Sequence, residues 1–247
     1  MIHIQNENVQ KLMPYLKEYV GSKLSIYEGN DDVDITSYSF YAQAIVFKVT
    51  LIDNTFSAIE IGNEYIKNIL HTDQEEANYK YAYHVENVLL RMSKIQDLCF
   101  QLVGSVFAIS EKELTSIKCK SLVRKQLKKA NKYPEINNCL TKVENEINNW
   151  SGIRNEIAHN ENYTSENYNL WSGLALLKEK FPEAIGASHD KDIKYFKELE
   201  IKSNYNKLVK SIENLHELIE SLINECGLLF CNVLENIINN VKVEKET

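Results

Sequence analysis

Residues 37–70 read SYSFYAQAIVFKVTLIDNTFSAIEIGNEYIKNIL. Apolar side chains recur there at Ile45, Val49, Ile52, Phe56, Ile59, Ile66 and Leu70, in steps of three and four with one gap at Asn63. That spacing follows one face of an α-helix and not the two-residue period of a strand. Residues 45–52 are rich in β-branched side chains, but the longer period continues through them and outweighs local propensity. A second stripe runs through Val85, Leu89, Met92, Gln96, Cys99, Val103 and Val106, beyond a polar junction at residues 71–78. The two segments are expected to form a long antiparallel helix pair over about residues 37–109.

The same period recurs downstream. Ser110 and Glu113 have capping-box spacing and open an expected helix at about 111–130, whose second half is basic. Ile136, Leu140, Val143, Ile147 and Trp150 mark a helix that meets Ser151-Gly152, so a motif helix is expected over about 135–159. Residues 170–181 form a shorter helix stopped by Pro182, and residues 186–190 a loop able to hold a helix cap. Leu208, Ile212, Leu215, Ile219, Leu222, Cys226, Leu229, Val233 and Ile237 place a long helix at about 204–240, with residues 241–247 expected to fray. Four long amphipathic helices with shorter ones beside them describe an all-α up-down bundle. No internal repeat and no linker-like shift in composition interrupts the chain, so one domain over residues 1–247 is expected.

Composition narrows the function classes. Eight glycines and three prolines in 247 residues are too few for a turn-rich sandwich or propeller. No run approaches the roughly 18 apolar residues of a membrane helix. The polar opening of residues 1–8 lacks the layout of a secretion signal, so the expected location is cytoplasmic and no membrane partner is expected. Five cysteines without a C-x-x-C pair fit reduced thiols, with neither disulfides nor structural zinc. No cofactor motif is present: there is no Gly-rich phosphate loop, nucleophile elbow or H-E-x-x-H. The net charge of −7 argues against a chain coated with nucleic acid. A local basic stripe remains: Lys118, Lys120, Arg124, Lys125, Lys128, Lys129 and Lys132, with no carboxylate between Glu113 and Glu135. It is either an RNA-backbone contact or a solvated face with cations near a helix C-terminus.

Only Arg91, Arg124 and Arg154 are arginines among 28 basic residues. Arg154-Asn155-Glu156-Ile157-Ala158-His159 resembles the R-N-x-x-x-H signature of the HEPN superfamily, helical-bundle proteins of which many are metal-independent ribonucleases acting as homodimers. The resemblance implies an endoribonuclease with Arg154, His159 and Asn155 as its catalytic residues and RNA as its substrate. It also implies a second copy of the chain across a composite site. The setting it implies is toxin–antitoxin, abortive infection or other host defence, with a cognate antitoxin or defence protein as a further partner. Some members carry a tyrosine two residues after the histidine as a target for nucleotide modification. This chain has Glu161 there, with Tyr163 the nearest tyrosine.

Chemistry agrees with the resemblance. An imidazole exchanges protons close to neutral pH, and a guanidinium holds charge that builds on a phosphoryl oxygen. Together they suit attack of an RNA 2′-hydroxyl on the adjacent phosphate. Five residues on a helix turn the side-chain direction by about 140°, so Arg154 and His159 diverge while Asn155 and His159 share a face. His159 is expected at the helix end, where the chain turns. The bland alternative pairs Arg154 with Glu146 or Glu161 and leaves a HEPN-like interaction or RNA-binding module without catalysis.

A third reading is a di-metal carboxylate bundle. It joins the E-x-x-H pairs Glu156/His159 and Glu213/His216 to Glu60 and Glu86. Arg91 either reaches the polar site or pairs with a carboxylate. Trp150 and Trp171 are expected as core anchors, and Cys226 and Cys231 as apolar filling.

Overall fold

The computed structural model describes residues 2–30, 33–71, 77–130, 133–160, 162–183 and 188–246, with the side chains of residues 160, 188 and 241–246 excepted. The protein is all-α, with no strand among the described residues. Its helices are α1 (Glu7–Gln10), α2 (Met13–Tyr27), α3 (Ser37–His71), α4 (Ala77–Val106), α5 (Glu111–Leu114), α6 (Cys119–Ala130), α7 (Pro134–Asn148), α8 (Ser151–Asn160), α9 (Glu166–Lys180), α10 (Ser188–Glu200) and α11 (Asn206–Glu246). A single turn of π-helix, Ile201–Tyr205, joins α10 to α11.

The chain divides into two compact units, one of Met1–Asn54, Ile95–Glu144 and His216–Thr247, the other of Thr55–Lys94 and Asn145–Leu215. The boundaries fall inside α3, α4, α7 and α11, so no linker signals them in the sequence.

In the first unit the stripe positions Ile45, Val49 and Ile52 of α3, Cys99, Val103 and Val106 of α4, and Ile219, Leu222 and Cys226 of α11 are buried. The Tyr41 hydroxyl donates to the Val106 carbonyl at 2.9 Å, and buried Lys48 reaches Gln101 at 3.1 Å and Glu111 at 2.7 Å. Rising numbers on α3 meet falling numbers on α4, the antiparallel order expected. Residues 2–12, to which the sequence reading assigned no helix, are tied down by polar contacts. The amides of His3 and Ile4 each donate to Asp53 at 2.9 Å, and Asn6 Nδ2 reaches Glu220 at 2.7 Å and Asn224 at 2.8 Å. The His3 ring lies 2.7 Å from Asp53 and stacks on His216 at 5.3 Å. Burial pushes the Asp53 carboxyl up, but the hydrogen bonds from the His3 ring and the two amides prevail and hold it below the usual range.

In the second unit Phe56, Ile59, Ile66 and Leu70 of α3 and Val85, Leu89 and Met92 of α4 are buried. A Cβ at Gly62 would stand 2.8 Å from Val88 Cγ2, so glycine there lets the two helices approach closely. Trp150 and Trp171 are buried as expected, the Trp150 indole donating to Ser211 at 2.9 Å.

Several boundaries differ from the sequence reading. The helix expected over 111–130 is two pieces. There the Thr115 amide still bonds four residues back to the Glu111 carbonyl at 3.0 Å, but the Ser116 amide bonds only three back to the Glu113 carbonyl at 3.2 Å, which also accepts from Ser116 Oγ at 2.6 Å. Ser110 makes no side-chain cap bond and instead donates to Glu113 Oε2 at 2.6 Å. The motif helix expected over 135–159 breaks between α7 and α8, where the Trp150 amide bonds three residues back to Ile147 and its carbonyl starts α8 by accepting from Arg154. Of the loop expected at 186–190, residues 188–190 already belong to α10, and residues 186 and 187 lie outside the described residues. Residues 241–246 are helical.

The helical stretch His189–Asn240 contains a window long and apolar enough, by length and composition, to cross a membrane, contrary to the sequence reading. Its apolar side includes the core positions Leu222, Ile223, Cys226, Leu229 and Phe230. All five cysteines are free thiols. Cys99, Cys119, Cys139 and Cys226 are buried, and burial pushes the Cys99 thiol up to about 12.

Candidate functional site

Helix α8 carries the motif, and Ile157 is its buried anchor. Arg154 is half-buried, while Asn155, Glu156 and His159 are exposed. The Arg154 guanidinium donates to Ser93 Oγ on α4 at 3.4 Å and to Asn155 Oδ1 at 3.1 Å. Ser93 gives its own proton to the Leu89 carbonyl at 3.2 Å, which leaves its lone pairs for Arg154. Among the described residues no carboxylate lies within ion-pair range of Arg154. Glu146, one proposed partner, accepts instead from Asn214 at 3.3 Å, and Glu161 lies outside the described residues. Among the described residues the guanidinium is thus held by neutral acceptors.

His159 is the penultimate residue of α8, at the helix end as expected. Since α8 stays helical through Asn160, Arg154 and His159 differ in direction by about 140°, and Asn155 shares the side of His159.

The stretch after the motif is pinned by a network the sequence did not reveal. Glu200, the last residue of α10, is 0 % exposed. Its Oε1 accepts from the hydroxyls of Tyr163 at 2.5 Å and Tyr81 at 2.8 Å, and its Oε2 from Ser165 at 2.7 Å and Asn204 at 2.9 Å. Four donors replace the water that a buried carboxylate loses. Burial, reinforced by the Glu200 charge, pushes the Tyr163 phenol far above its ordinary value, and burial with the neighbouring Tyr163 and Glu200 does the same to Tyr81. Glu86 accepts from the Tyr163 amide, Thr164 donates to Glu156 at 3.0 Å, and Ser165 caps α9 by accepting from the Tyr168 amide at 3.0 Å. Residues 163–165 are therefore fixed to α4, α8 and α10 within a few residues of His159.

The basic stripe lies in the other unit and divides by role. Arg124 pairs with Glu144, donates to the Asn137 carbonyl at 3.1 Å and to its side chain, and stacks on Phe100 at 5.2 Å. Lys120 pairs with Asp97 at 3.1 Å and also lies over Phe100. Lys118, Lys125, Lys128 and Lys129 are exposed, and Lys132 is outside the described residues. Two of the named cations thus serve the packing of α6.

The di-metal reading loses its ligands. No group of three or more His, Cys, Asp or Glu among the described residues is placed to hold a metal ion. Glu86 is engaged by Tyr163, His216 stacks on His3, and Glu213 is exposed.

A model of the family described as HEPN_Cthe2314-like HEPN matches residues 30–226. The chain belongs to the HEPN superfamily. The match spans α3 to the middle of α11 and includes the whole R-N-x-x-x-H motif, while α1 and α2 precede it. No curated protein and no solved structure matches this HEPN chain significantly.

Proposed function

We propose that this HEPN protein is a metal-independent endoribonuclease that works as a homodimer. The observation that carries the reading is the Arg154 guanidinium, held by Ser93 and Asn155 and matched by no carboxylate among the described residues. In this mechanism the RNA 2′-hydroxyl attacks the adjacent phosphorus and gives its proton to His159. The 5′-oxygen leaves with a proton from His159 of the second copy, and Arg154 stabilises the charge on the non-bridging oxygens. The products are a 2′,3′-cyclic phosphate and a 5′-hydroxyl. Two copies answer the divergence of Arg154 and His159 on one helix, because each copy presents what the other turns away.

The exposed lysines of α6 supply attraction for the RNA backbone. Asn155 orients Arg154. A cytoplasmic role in toxin–antitoxin or anti-phage defence, restrained by a cognate partner protein, fits this activity. The non-catalytic dimeric module is the second reading, favoured by the separation of about 140° within one copy.

Sedimentation at micromolar concentration and incubation with RNA in EDTA test the proposal. Expected are a dimer and fragments ending in cyclic phosphate. A strict monomer, or activity abolished by chelation and restored by manganese or iron, overturns it.

A further inference from the structure

The second unit carries a surface feature that cleavage chemistry does not use. Tyr65 of α3 and His84 of α4 stack face to face, with ring centroids 5.0 Å apart and planes 6° apart. Tyr83 meets the same imidazole edge-on at 5.2 Å. Tyr65 is nevertheless 54 % exposed and Tyr83 62 % exposed. Aromatic rings ordinarily contribute most when buried, so ordered rings left in solvent form a ready stacking surface.

Charge identifies the occupant. Residues 77–94 of α4 contain Lys80, Arg91 and Lys94 and a single carboxylate, Glu86, which already accepts from the Tyr163 amide. All three cations are exposed in a chain whose net charge is −7. Arg91 follows His84 by two helical turns and so lies on the same face. On α3, Glu60 lies about 140° around the helix from Tyr65, and Glu64, one residue before Tyr65, is the nearer carboxylate in sequence.

We propose that Tyr65, His84 and Tyr83 form a platform on which unpaired RNA bases stack, with Arg91 and Lys94 contacting the phosphates. This deepens the ribonuclease reading, on which it rests, by naming the substrate as single-stranded RNA. Aromatic stacking selects splayed bases, because a duplex keeps its base faces covered. The platform and the motif share α4: Ser93, which holds Arg154, follows His84 by nine residues, about 13 Å along the axis and half a turn around it, so a strand that reaches both has to pass around α4. Burial lowers the His84 pKa, which favours the neutral ring near pH 7.

The test measures binding of the full chain to a short 2′-O-methyl RNA, which cannot undergo 2′-hydroxyl attack, as a single strand and as a duplex. Tyr65→Leu and Tyr83→Leu keep apolar bulk and remove the ring. Each is expected to weaken single-strand binding at least about fivefold, with little change on the duplex and in the melting temperature. Their salt dependence should stay parallel to that of the unmodified protein, whereas Arg91→Gln should lower the logarithmic slope by about 0.7.

Undiminished affinity in both tyrosine variants, equal loss on the duplex, or absence of RNA binding overturns the proposal. So does a change of oligomeric state in these variants, which makes the rings a contact between copies. Because the strand is uncleavable, ring-dependent binding by a chain that never cuts RNA keeps the platform and removes the ribonuclease reading. Cleavage by a chain indifferent to its rings does the reverse.

Discussion

Arg124 and Arg154 occupy different units and are held in opposite ways. Arg124 is matched by a carboxylate, Glu144, and stacked on Phe100, so its charge is spent inside the fold. Arg154 is held by a serine hydroxyl and an asparagine amide, with no carboxylate partner among the described residues. A cation ringed by neutral acceptors remains available to a phosphate, while one already paired would have to exchange partners first. Equal residue types, both half-buried, therefore predict different roles once their partners are known.

The largest expected effect falls on the motif. Arg154→Ala and His159→Ala should each lower kcat/KM for RNA by at least about a hundredfold, and the double change should cost far less than the product, since both serve one step. Neither should cost more than about 1 kcal/mol of stability, because the partners Arg154 has among the described residues are neutral. Global unfolding of these variants, read by circular dichroism, would place Arg154 with Arg124 as a structural cation and erase the contrast.

Glu200→Ala comes next and tests the pinning of residues 163–165. It leaves the buried hydroxyls of Tyr81 and Tyr163 without their acceptor, at a cost of about 3–5 kcal/mol in denaturant unfolding. In the unaltered chain the folded tyrosines have raised pKa values, so the neutral phenols favour the folded state. Their contribution is complete below the ordinary tyrosine value of about 10 and is lost as the pH climbs beyond it. Stability unchanged between about pH 9 and about pH 12 would contradict the network.

Arg124→Ala should destabilise the protein by about 1–2 kcal/mol and leave the slope of RNA binding against salt nearly unchanged, because its charge is already paired. Replacing Lys125, Lys128 and Lys129 together with glutamine should do the opposite. Stability should move by a few tenths of a kilocalorie per mole, and the slope for a single strand should fall by up to about 2 units. A flat response would make that side of α6 an ordinary solvated helix face.

The helical period was legible because burial repeats along the chain itself. Each position of the first stripe, from Ile45 to Leu70, is buried, as is each of the second, from Val85 to Val106. The motif was legible for a similar reason, since Arg154, Asn155 and His159 lie within six residues. Helix ends were less so. The interruption after α5 lies where the Ser116 amide bonds three residues back to Glu113, and the one before α8 where the Trp150 amide bonds three back to Ile147. Residues of these types also occur inside helices, so their identity alone does not mark a break.

The sequence by itself determined the all-α class, the pairing of α3 with α4 and the segment that carries the HEPN signature, because these follow from local period and spacing. Tertiary structure alone decided which groups hold the motif. Ser93 lies 61 residues from Arg154, and Glu200 lies 37 residues from Tyr163 and 119 from Tyr81. Whether a guanidinium is neutralised, or a buried carboxylate satisfied, depends on donors and acceptors that only folding brings within about 3 Å. No periodicity encodes those meetings, and they decide which of the described cations are paired within the fold.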